Sequence, residues 1–433
     1  MKQILVFLRK YLLIPGIILI LSSPAFSYDK ADPESQGLSS EVLNSLIPLV
    51  EPLIDEGKLP NYVISIYKNE KLVFESMKGY RDYENQVPIT GDTIFWQASM
   101  SKPIVAAAVL KLIEDGKLDL EDELETFFPE FSDLMVFPEG SYRNTLQSLK
   151  RPITIKDLLT HTSGFTYGAS IIGASDVANA YDQVNPIDNY TRNSSENMAS
   201  LSELPLVGQP GEAFNYSVGI DILGAIIEKV TGVGLAEYVN NNIFIPTGMK
   251  DSGWFFSEAD QRTRKATVYT QITRTVQVPG ESISFEKSDA LSSICLFPPM
   301  FPSGGGGLCT TSEDFAKFLY MLINDGSANG NQVLKPETVK LMFTNLLPEE
   351  LGRNALTNTF GSFAGNQYFS AGLGLVLEGD TEELDYVWWA GAANTLFWAD
   401  PKENVVGTFL TQHFPVAYNI MDTLEETVDK AKK

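Results

Sequence analysis

The residue pattern with the clearest chemical potential in this chain is Ser-x-x-Lys, in which a hydroxyl and an amine lie three positions apart. On a helix these positions share a face, so the amine can accept the serine proton and leave a nucleophilic oxygen. Both residues are common, so the pattern alone is weak evidence. The chain contains it four times, beginning at Ser27, Ser65, Ser99 and Ser284.

Local context favours Ser99. Ser27 lies at a predicted cleavage site, and Ser284 lies in a polar stretch without a clear helix. Ser65 lies within a predicted strand, where positions i and i+3 point to opposite faces. Ser99 directly precedes an apolar helix that begins near Lys102, and a helix start offers unpaired N–H groups and a positive dipole end. The sequence therefore predicts Ser99 as the nucleophile and Lys102 as its base.

The sequence gives little support for catalysis by a histidine or by a metal. The chain has two histidines, His161 and His413, and no Gly-x-Ser-x-Gly motif, so a Ser-His-Asp triad has no supporting pattern. Histidines and cysteines do not cluster at metal-ligand spacing, and we expect neither a metal nor an organic cofactor. Cys295 and Cys309 could form a disulfide in an oxidising compartment or remain buried thiols, and the sequence leaves both possibilities open.

The secondary-structure elements that must position Ser99 change type along the chain. Two β-rich runs at 62–67 and 71–75 predict a hairpin, and further strands are predicted at 372–377, 386–390, 395–399 and 405–411. Helices are predicted at 39–57 (with Pro48 and Pro52 able to split it), 104–115, 154–160, 218–231, 234–242, 312–325 and up to 430. The polar segment 166–210 is predicted to be a surface loop.

This order of elements predicts an α/β fold of the α+β type. An antiparallel sheet would be built from the N- and C-terminal segments and flanked by helices. A mostly helical subdomain, at about residues 100–295, would be inserted into it. The pattern indicates one catalytic domain over residues 28–433.

The first 27 residues have the features of a signal peptide. Three basic residues precede and enter an apolar stretch, and small residues follow near Ser27. The apolar stretch is shorter than the ~20 residues that span a bilayer, although a retained anchor is the alternative. We therefore expect a periplasmic or secreted protein without stable membrane insertion after cleavage. The formal net charge of the full chain, −23, argues against nucleic-acid partners.

Five motifs, the first of which contains Ser99 and Lys102, occur in a distinctive order: WQASMSKP at 96–103, LTHTSGF at 159–165, GEAFNYS at 211–217, PTGM at 246–249 and GGGGLCTT at 304–311. With them the chain resembles the class C β-lactamase-like serine hydrolases, which include family VIII carboxylesterases and D-Ala-D-Ala carboxypeptidases. The resemblance extends over about residues 33–425. It implies a β-lactamase/transpeptidase-like fold.

The resemblance also implies roles for individual residues. Tyr216 occupies the position of the family's second base. Tyr83 and Tyr238 fit the usual Tyr-x-Asn pattern better, but the first precedes the nucleophile and the second lies within a predicted helix. By analogy, the backbone N–H groups of Ser99 and Ala392 form the oxyanion hole. His161 is expected to mark a turn behind the site rather than to take part in catalysis.

Two departures from the family pattern concern the substrate. Trp389-Ala390-Gly391 stands where β-lactamases usually have Lys-Thr-Gly, and Val218 replaces the asparagine of Tyr-x-Asn. A charge-assisted hydrogen bond contributes about 1.5–3 kcal/mol, so its loss should weaken recognition of a carboxylate. With Trp389, Ala390, Gly391 and Val218 as substrate-binding residues, we expect an acyl-serine mechanism on short-chain esters.

Other substrates of the same chemistry remain open. The chain could be a β-lactamase, a D-Ala-D-Ala carboxypeptidase or an amide hydrolase of this family, or a non-catalytic penicillin-binding-like protein. In each enzymatic case the partner is a small-molecule ester or amide. The sequence does not indicate an oligomeric state.

Overall fold

The computed structural model describes residues 27–137, 146–272, 284–356, 367–379, 383–418 and 420–432. Nearly all of the predicted signal peptide, residues 1–26, lies outside these ranges. Across the ranges that are described, the structure holds no helix long and apolar enough to cross a membrane.

The strands are numbered in chain order: β1 Asn61–Lys68, β2 Lys71–Asp82, β3 Val87–Pro88, β4 Phe95–Trp96, β5 Met135–Val136, β6 Gln147–Ser148, β7 Tyr269–Gln271, β8 Phe285–Lys287, β9 Cys309–Thr310, β10 Ser327–Ala328, β11 Asn331–Gln332, β12 Gln367–Phe369, β13 Gly374–Leu377, β14 Leu384–Gly391, β15 Thr395–Asp400, β16 Val405–Leu410 and β17 His413–Phe414.

The α-helices are α1 Ser40–Asn44, α2 Ile47–Asp55, α3 Lys102–Glu114, α4 Leu124–Phe127, α5 Ile155–Leu159, α6 Ala169–Ile172, α7 Asp176–Val184, α8 Ser194–Ser202, α9 Gly219–Thr231, α10 Leu235–Val239, α11 Ile245–Thr247, α12 Ala259–Arg264, α13 Asp289–Ser292, α14 Ser312–Ile323, α15 Pro336–Met342 and α16 Met421–Ala431. A π-helix spans Asn240–Phe244, and 3-10 helices span Pro33–Gln36, Ala98–Ser101, Pro129–Phe131 and Glu349–Asn354.

The main sheet joins the two ends of the chain. Its eight strands are ordered β12-β13-β14-β15-β16-β1-β2-β3, and neighbouring strands are antiparallel. The junction pairs β1 from the N-terminal part with β16 from the C-terminal part, with Val63 opposite Leu410. This confirms the predicted antiparallel sheet and the predicted hairpin of β1 and β2.

The sheet separates two hydrophobic layers because alternate side chains point to opposite faces. On β14, Trp388 packs with the layer that contains α1, α2 and α16. Its neighbour Trp389 packs with the larger layer that contains α3 and α9. The same alternation continues on β15, where Trp398 joins the first layer and Phe397 the second. The candidate site lies on the side of the larger layer.

The region between β4 and β9 is mostly helical, with α3 at its centre. Residues 104–110 of α3 are all fully buried, which explains their almost entirely apolar sequence. An all-round apolar helix can only be placed inside a core. Its N-terminus is therefore held rigidly against the sheet, and Ser99 lies in the turn just before it.

One local prediction is wrong. The segment 166–210 is not a surface loop, because it contains α6, α7 and α8 and buries Val177, Tyr181, Met198 and Leu201. Its Ser and Asn residues include helix caps: Ser175 caps α7, and Asn193 forms a capping box with Glu196.

The segment 39–57 forms two helices, α1 and α2, and the second begins one residue before Pro48. This agrees with the expectation that the prolines can split the predicted helix.

Candidate active site

Ser99 lies in the 3-10 turn Ala98–Ser101, directly before α3 begins at Lys102. Ala98 has a φ of +47°, a left-handed conformation that L-residues rarely adopt. The turn is held by bonds from Met100 N to Gln97 O (3.1 Å) and from Leu308 N to Ser101 Oγ (3.1 Å). Strained backbone of this kind persists where surrounding structure imposes it, commonly at functional sites.

Lys102 is fully buried, whereas Ser99 is partly exposed. The Lys102 Nζ donates to Ser99 Oγ at 3.2 Å and to the Gly305 carbonyl oxygen at 2.7 Å. It also lies 4.7 Å from the ring centroid of Tyr216 and 5.2 Å from that of Tyr167. The amine is thus positioned between the predicted nucleophile and a buried, aromatic interior.

The other three Ser-x-x-Lys patterns do not form such a pair in the described structure. Their lysines make ion pairs elsewhere: Lys30 with Glu75, Lys68 with Glu403 and Lys287 with Asp289. Their serines bond to other groups or lie within a strand: Ser27 with Glu313, Ser284 with Gly57 and Ser65 in β1.

Tyr216 lies between the lysine and the sheet. Its buried ring is 4.7 Å from the ring of His161 and 5.7 Å from that of Trp389, measured between centroids. The alternative tyrosines lie in other surroundings. Tyr83 packs edge-to-face against Phe285, and Tyr238 belongs to α10.

His161 is fully buried, and its Nδ1 accepts a hydrogen bond from the backbone N–H of Ser217 at 3.3 Å. Burial, together with the nearby charge of Lys102, holds the pKa of His161 well below its usual range. A neutral imidazole that accepts from Ser217 fixes the residue directly after Tyr216. The described contacts thus give His161 a way to position the candidate base.

The end of β14 contacts the Ser99 turn through backbone. A Cβ on Gly391 would lie 2.2 Å from the carbonyl oxygen of Gln97, so only glycine permits this approach. The Thr395 hydroxyl donates to the same oxygen at 3.0 Å. Ala392, which follows Gly391, is thereby brought to the segment that carries Ser99. The two predicted oxyanion donors therefore lie on adjoining backbone segments.

The predicted substrate-binding side chains are not all brought together. Trp389 is buried against Phe369 (5.0 Å between centroids) and Tyr216, on the site's face of the sheet. Val218 is buried in the same layer at the start of α9. The prediction that the Ala390 side chain binds substrate is wrong. This side chain packs with the opposite layer, because neighbouring residues of a strand point to opposite faces of the sheet. Only its backbone lies along the site's edge.

The sequence did not predict the buried carboxylate that lies behind Lys102. Asp221 is 1% exposed, and its Oδ1 accepts from Gly305 N at 2.9 Å and from the Ser303 hydroxyl. It also shares a hydrogen bond with the Tyr167 hydroxyl. Burial raises the pKa of Asp221, although the charge of Lys102 opposes the shift. The sequence indicates it only by a single acidic residue within the apolar run 219–227.

The glycine run 304–307 forms the turn between these groups. A Cβ on Gly304 would lie 2.6 Å from the Ile220 carbonyl oxygen, and one on Gly305 would lie 2.3 Å from Asp221 Oδ2. The loop therefore packs directly on the start of α9. It presents a carbonyl to Lys102, as expected of a backbone turn beside the site.

Cys295 and Cys309 form a disulfide, with their Cα atoms 6.4 Å apart. Cys309 belongs to β9, which pairs with β4, and the bridge closes a loop that contains the glycine run. No group of three or more His, Cys, Asp or Glu side chains that could hold a metal occurs in the described parts of the chain.

We expect the double variant Cys295→Ser/Cys309→Ser to lose about 3 kcal/mol of unfolding free energy, because a cross-link over about 15 residues restricts the unfolded chain by that amount. Activity should fall as well, since the freed loop carries the carbonyl that binds Lys102. Denaturant unfolding and ester hydrolysis, compared with the wild type in the presence and absence of reductant, measure both effects. An unchanged unfolding midpoint would contradict the expectation.

Comparison with known proteins agrees with this geometry. The Beta-lactamase family model matches residues 46–426. Protein Rv1367c of Mycobacterium tuberculosis is 33% identical over 379 residues, which cover 84% of this chain and 89% of the relative. Esterase EstB of Burkholderia gladioli is 30% identical over 301 residues, which cover 66% and 72% of the two chains.

Among solved structures, simvastatin synthase LovD from Aspergillus terreus aligns with a TM-score of 0.72 and 21% identity, over 91% of this chain and 98% of that one. At this identity the alignment is evidence for the shared fold. Together with the family match over most of the sequence, it identifies the architecture described above. The chain belongs to the Beta-lactamase family.

Proposed function

We propose that this protein is an exported serine hydrolase, a carboxylesterase that cleaves short-chain, uncharged esters through an acyl-serine intermediate at Ser99. The observation that carries the proposal is the 3.2 Å contact between Ser99 Oγ and Lys102 Nζ at the edge of a buried, aromatic site. A serine hydroxyl is a weak nucleophile until an adjacent base takes its proton. In this proposal Lys102 and Tyr216 together take that proton, a role supported by the 3.2 Å contact of Lys102 with Ser99 and by the Tyr216 ring 4.7 Å from the Lys102 amine.

In the proposed first half-reaction, Lys102 and Tyr216 accept the Ser99 proton as Oγ attacks the ester carbonyl carbon. The carbonyl oxygen becomes an oxyanion, which the backbone N–H groups of Ser99 and Ala392 stabilise. As the carbon–oxygen bond to the alcohol breaks, the same proton passes to the leaving oxygen. Water then attacks the acyl-serine carbonyl with the same base, releasing the acid and restoring Ser99.

The aromatic surroundings support an uncharged substrate. Trp389 contributes an indole, packed on Tyr216 and Phe369, at the position where the resemblance to β-lactamases implies a lysine. Position 389 therefore offers no cation to a substrate carboxylate. Esterase EstB, at 30% identity, carries the name of this activity. β-Lactam, D-Ala-D-Ala peptide and amide hydrolysis use the same acyl-serine chemistry and are the competing outcomes.

Export is supported by two features. The basic and apolar segment 1–27 has the pattern of a cleaved leader. The Cys295–Cys309 disulfide is of a kind that persists in oxidising compartments. Cell fractionation, with N-terminal sequencing of the mature protein, tests this part: an N-terminus near Ser27 in the periplasm or medium is expected. An uncleaved, membrane-bound chain would contradict it.

The activity is tested with p-nitrophenyl acetate and butyrate, a chromogenic cephalosporin, benzylpenicillin and D-Ala-D-Ala peptides. We expect the two esters to be hydrolysed with the highest kcat/KM. Preference for the peptide or a β-lactam would replace the esterase proposal by one of the competing activities. Binding without turnover of any substrate would indicate a non-catalytic protein.

We expect Trp389→Lys, alone or with Ala390→Thr, to shift specificity towards carboxylate-bearing β-lactams. A cation beside the oxyanion hole attracts an anionic substrate and gives nothing to a neutral one. The matched control is Trp389→Leu, which removes the indole without adding charge. The ratio of kcat/KM for benzylpenicillin to that for p-nitrophenyl acetate should be at least about tenfold higher in the lysine variant than in the leucine variant.

Efficient hydrolysis of benzylpenicillin by the wild type would contradict this expectation, because another residue would then bind the carboxylate. Equal ratios in the Lys and Leu variants would also contradict it. Ala390→Thr alone should change the ratio little, since the Ala390 side chain packs on the opposite face of the sheet.

A further inference from the structure

Asp221 is a buried carboxylate for which the proposed chemical steps have no direct use. It lies in the first turn of α9, behind Lys102 as seen from Ser99, and it is 1% exposed. Three groups from other parts of the chain direct hydrogen bonds at it: the N–H of Gly305, the hydroxyl of Ser303 and the hydroxyl of Tyr167. Burying a carboxylate without hydrogen-bond partners costs free energy, and these three donors offset that cost for Asp221.

The contacts of Asp221 lead back to Lys102 through a single residue. Gly305 donates its N–H to Asp221 Oδ1 at 2.9 Å, while its carbonyl oxygen accepts from Lys102 Nζ at 2.7 Å. Both backbone groups of Gly305 are therefore engaged, one on each side. A Cβ there would come within 2.3 Å of Asp221 Oδ2, so only glycine permits this close approach, and the hydrogen bond holds the loop against the carboxylate.

We propose that Asp221 is a positioning residue for Ser99: through Gly305 and Ser303 it holds the glycine loop so that the Gly305 carbonyl keeps the Lys102 amine directed at the nucleophile. This inference rests on the proposed function of Ser99 and Lys102. The carboxylate also supplies the negative charge that a fully buried amine needs when it carries a proton. Tyr167, whose hydroxyl bonds to Asp221, belongs to this support, which leaves Tyr216 as the proton carrier.

A purely stabilising role for the charge is disfavoured. Burial raises the pKa of Asp221, and a carboxyl whose pKa is raised on folding loses stability as the pH rises through that raised value. Above that pH, the ionised carboxylate lowers the stability of the folded protein.

The direct test compares the rate at which a fluorophosphonate labels Ser99 in the wild type and in Asp221→Asn, followed by mass spectrometry. Asparagine is isosteric, so the fold is expected to persist, but it is uncharged and has one acceptor oxygen in place of two for the donors Gly305, Ser303 and Tyr167. We expect labelling to slow by about 100-fold, the effect of misplacing a catalytic group by about 1 Å. The melting temperature should fall by no more than about 3 °C. With an ester, the loss should lie in kcat, because Asp221 is behind Lys102 and does not reach the substrate.

A matched glycine pair tests the same connection without changing any charge. Gly305→Ala would force its Cβ against Asp221 Oδ2 (2.3 Å) and the Tyr167 hydroxyl (2.8 Å), whereas a Cβ on Gly306 would meet nothing closer than 3.9 Å. Neither glycine has a positive φ. Gly305→Ala should therefore slow labelling by a similar factor, and Gly306→Ala should leave the rate within about threefold of the wild type.

Labelling of Asp221→Asn at a rate within threefold of the wild type would overturn the inference, as would equal rates in the two glycine variants. If the wild type is labelled at Ser99 but hydrolyses no ester, the esterase proposal fails while the comparison of labelling rates still decides the role of Asp221. A wild type that is not labelled at all would overturn both.

Discussion

Ser99→Ala is expected to reduce ester hydrolysis by at least about 10⁴-fold, because removing the nucleophile of an acyl-transfer unit removes most of its rate enhancement. Of the four Ser-x-x-Lys hydroxyls, Ser99 Oγ is the one that the described structure places beside its lysine, at 3.2 Å. The fold should be preserved, since Ser99 is partly exposed and the turn is held by its neighbours. Steady-state hydrolysis and circular dichroism measure the two effects.

The matched control for this variant is Ser284→Ala. Ser284 also begins a Ser-x-x-Lys pattern, but its hydroxyl donates to the Gly57 carbonyl and its lysine pairs with Asp289. It should retain full activity. A fluorophosphonate should modify Ser99 alone in the wild type and nothing in Ser99→Ala. Labelling at Ser65 or Ser284 would show that the wrong serine has been identified.

The parts of the molecule that could be predicted from the sequence depend on short-range patterns. The hairpin of β1 and β2, the apolar helix α3 and the C-terminal strands follow from periodicity that each segment displays by itself. The pairing of Ser99 with Lys102 could be predicted for the same reason, because a separation of three residues at a helix start brings the two side chains together. Recognition of the motif order then placed Tyr216, whose ring the structure sets 4.7 Å from Lys102 Nζ.

The parts that could not be predicted depend on long-range packing. Asp221 meets Gly305, 84 positions away, and such a contact leaves no periodic trace in either segment. The disulfide was undetermined because sequence separation does not give the distance between two Cα atoms. The helices in 166–210 were missed because their capping residues, Ser and Asn, are also the residues typical of loops.

Lys102 and Tyr216 are expected to behave as one proton-transfer unit. Lys102→Met and Tyr216→Phe should each lower kcat/KM by about 10²–10⁴-fold, the usual contribution of general acid–base catalysis. The double variant should be little worse than the more damaging single one, because a proton relay that lacks either member no longer works. Independent contributions would instead multiply. The double-mutant cycle on p-nitrophenyl acetate distinguishes the two cases.

Stability provides an independent check on this cycle. Lys102 is fully buried, and methionine in its place removes the cation near the buried Asp221 and leaves the Gly305 carbonyl without its donor. The Lys102→Met variant should therefore melt below the wild type as well as lose activity, and circular dichroism at the assay temperature checks that it is still folded. Tyr238→Phe is the matched control for Tyr216→Phe, since the Tyr238 hydroxyl has no hydrogen-bond partner among the described residues, and it should leave both properties unchanged.

Full activity in Tyr216→Phe would mean that another group returns the proton to the leaving alcohol. Tyr167 would then be the first residue to test, since its ring also lies within 5.2 Å of Lys102 Nζ. Its hydroxyl, however, is hydrogen-bonded to Asp221, and the burial of Tyr167, together with the charge of Asp221, raises the pKa of Tyr167 well above its usual range. A phenol whose pKa is raised in this way resists giving up its proton, and this counts against Tyr167 as the relay.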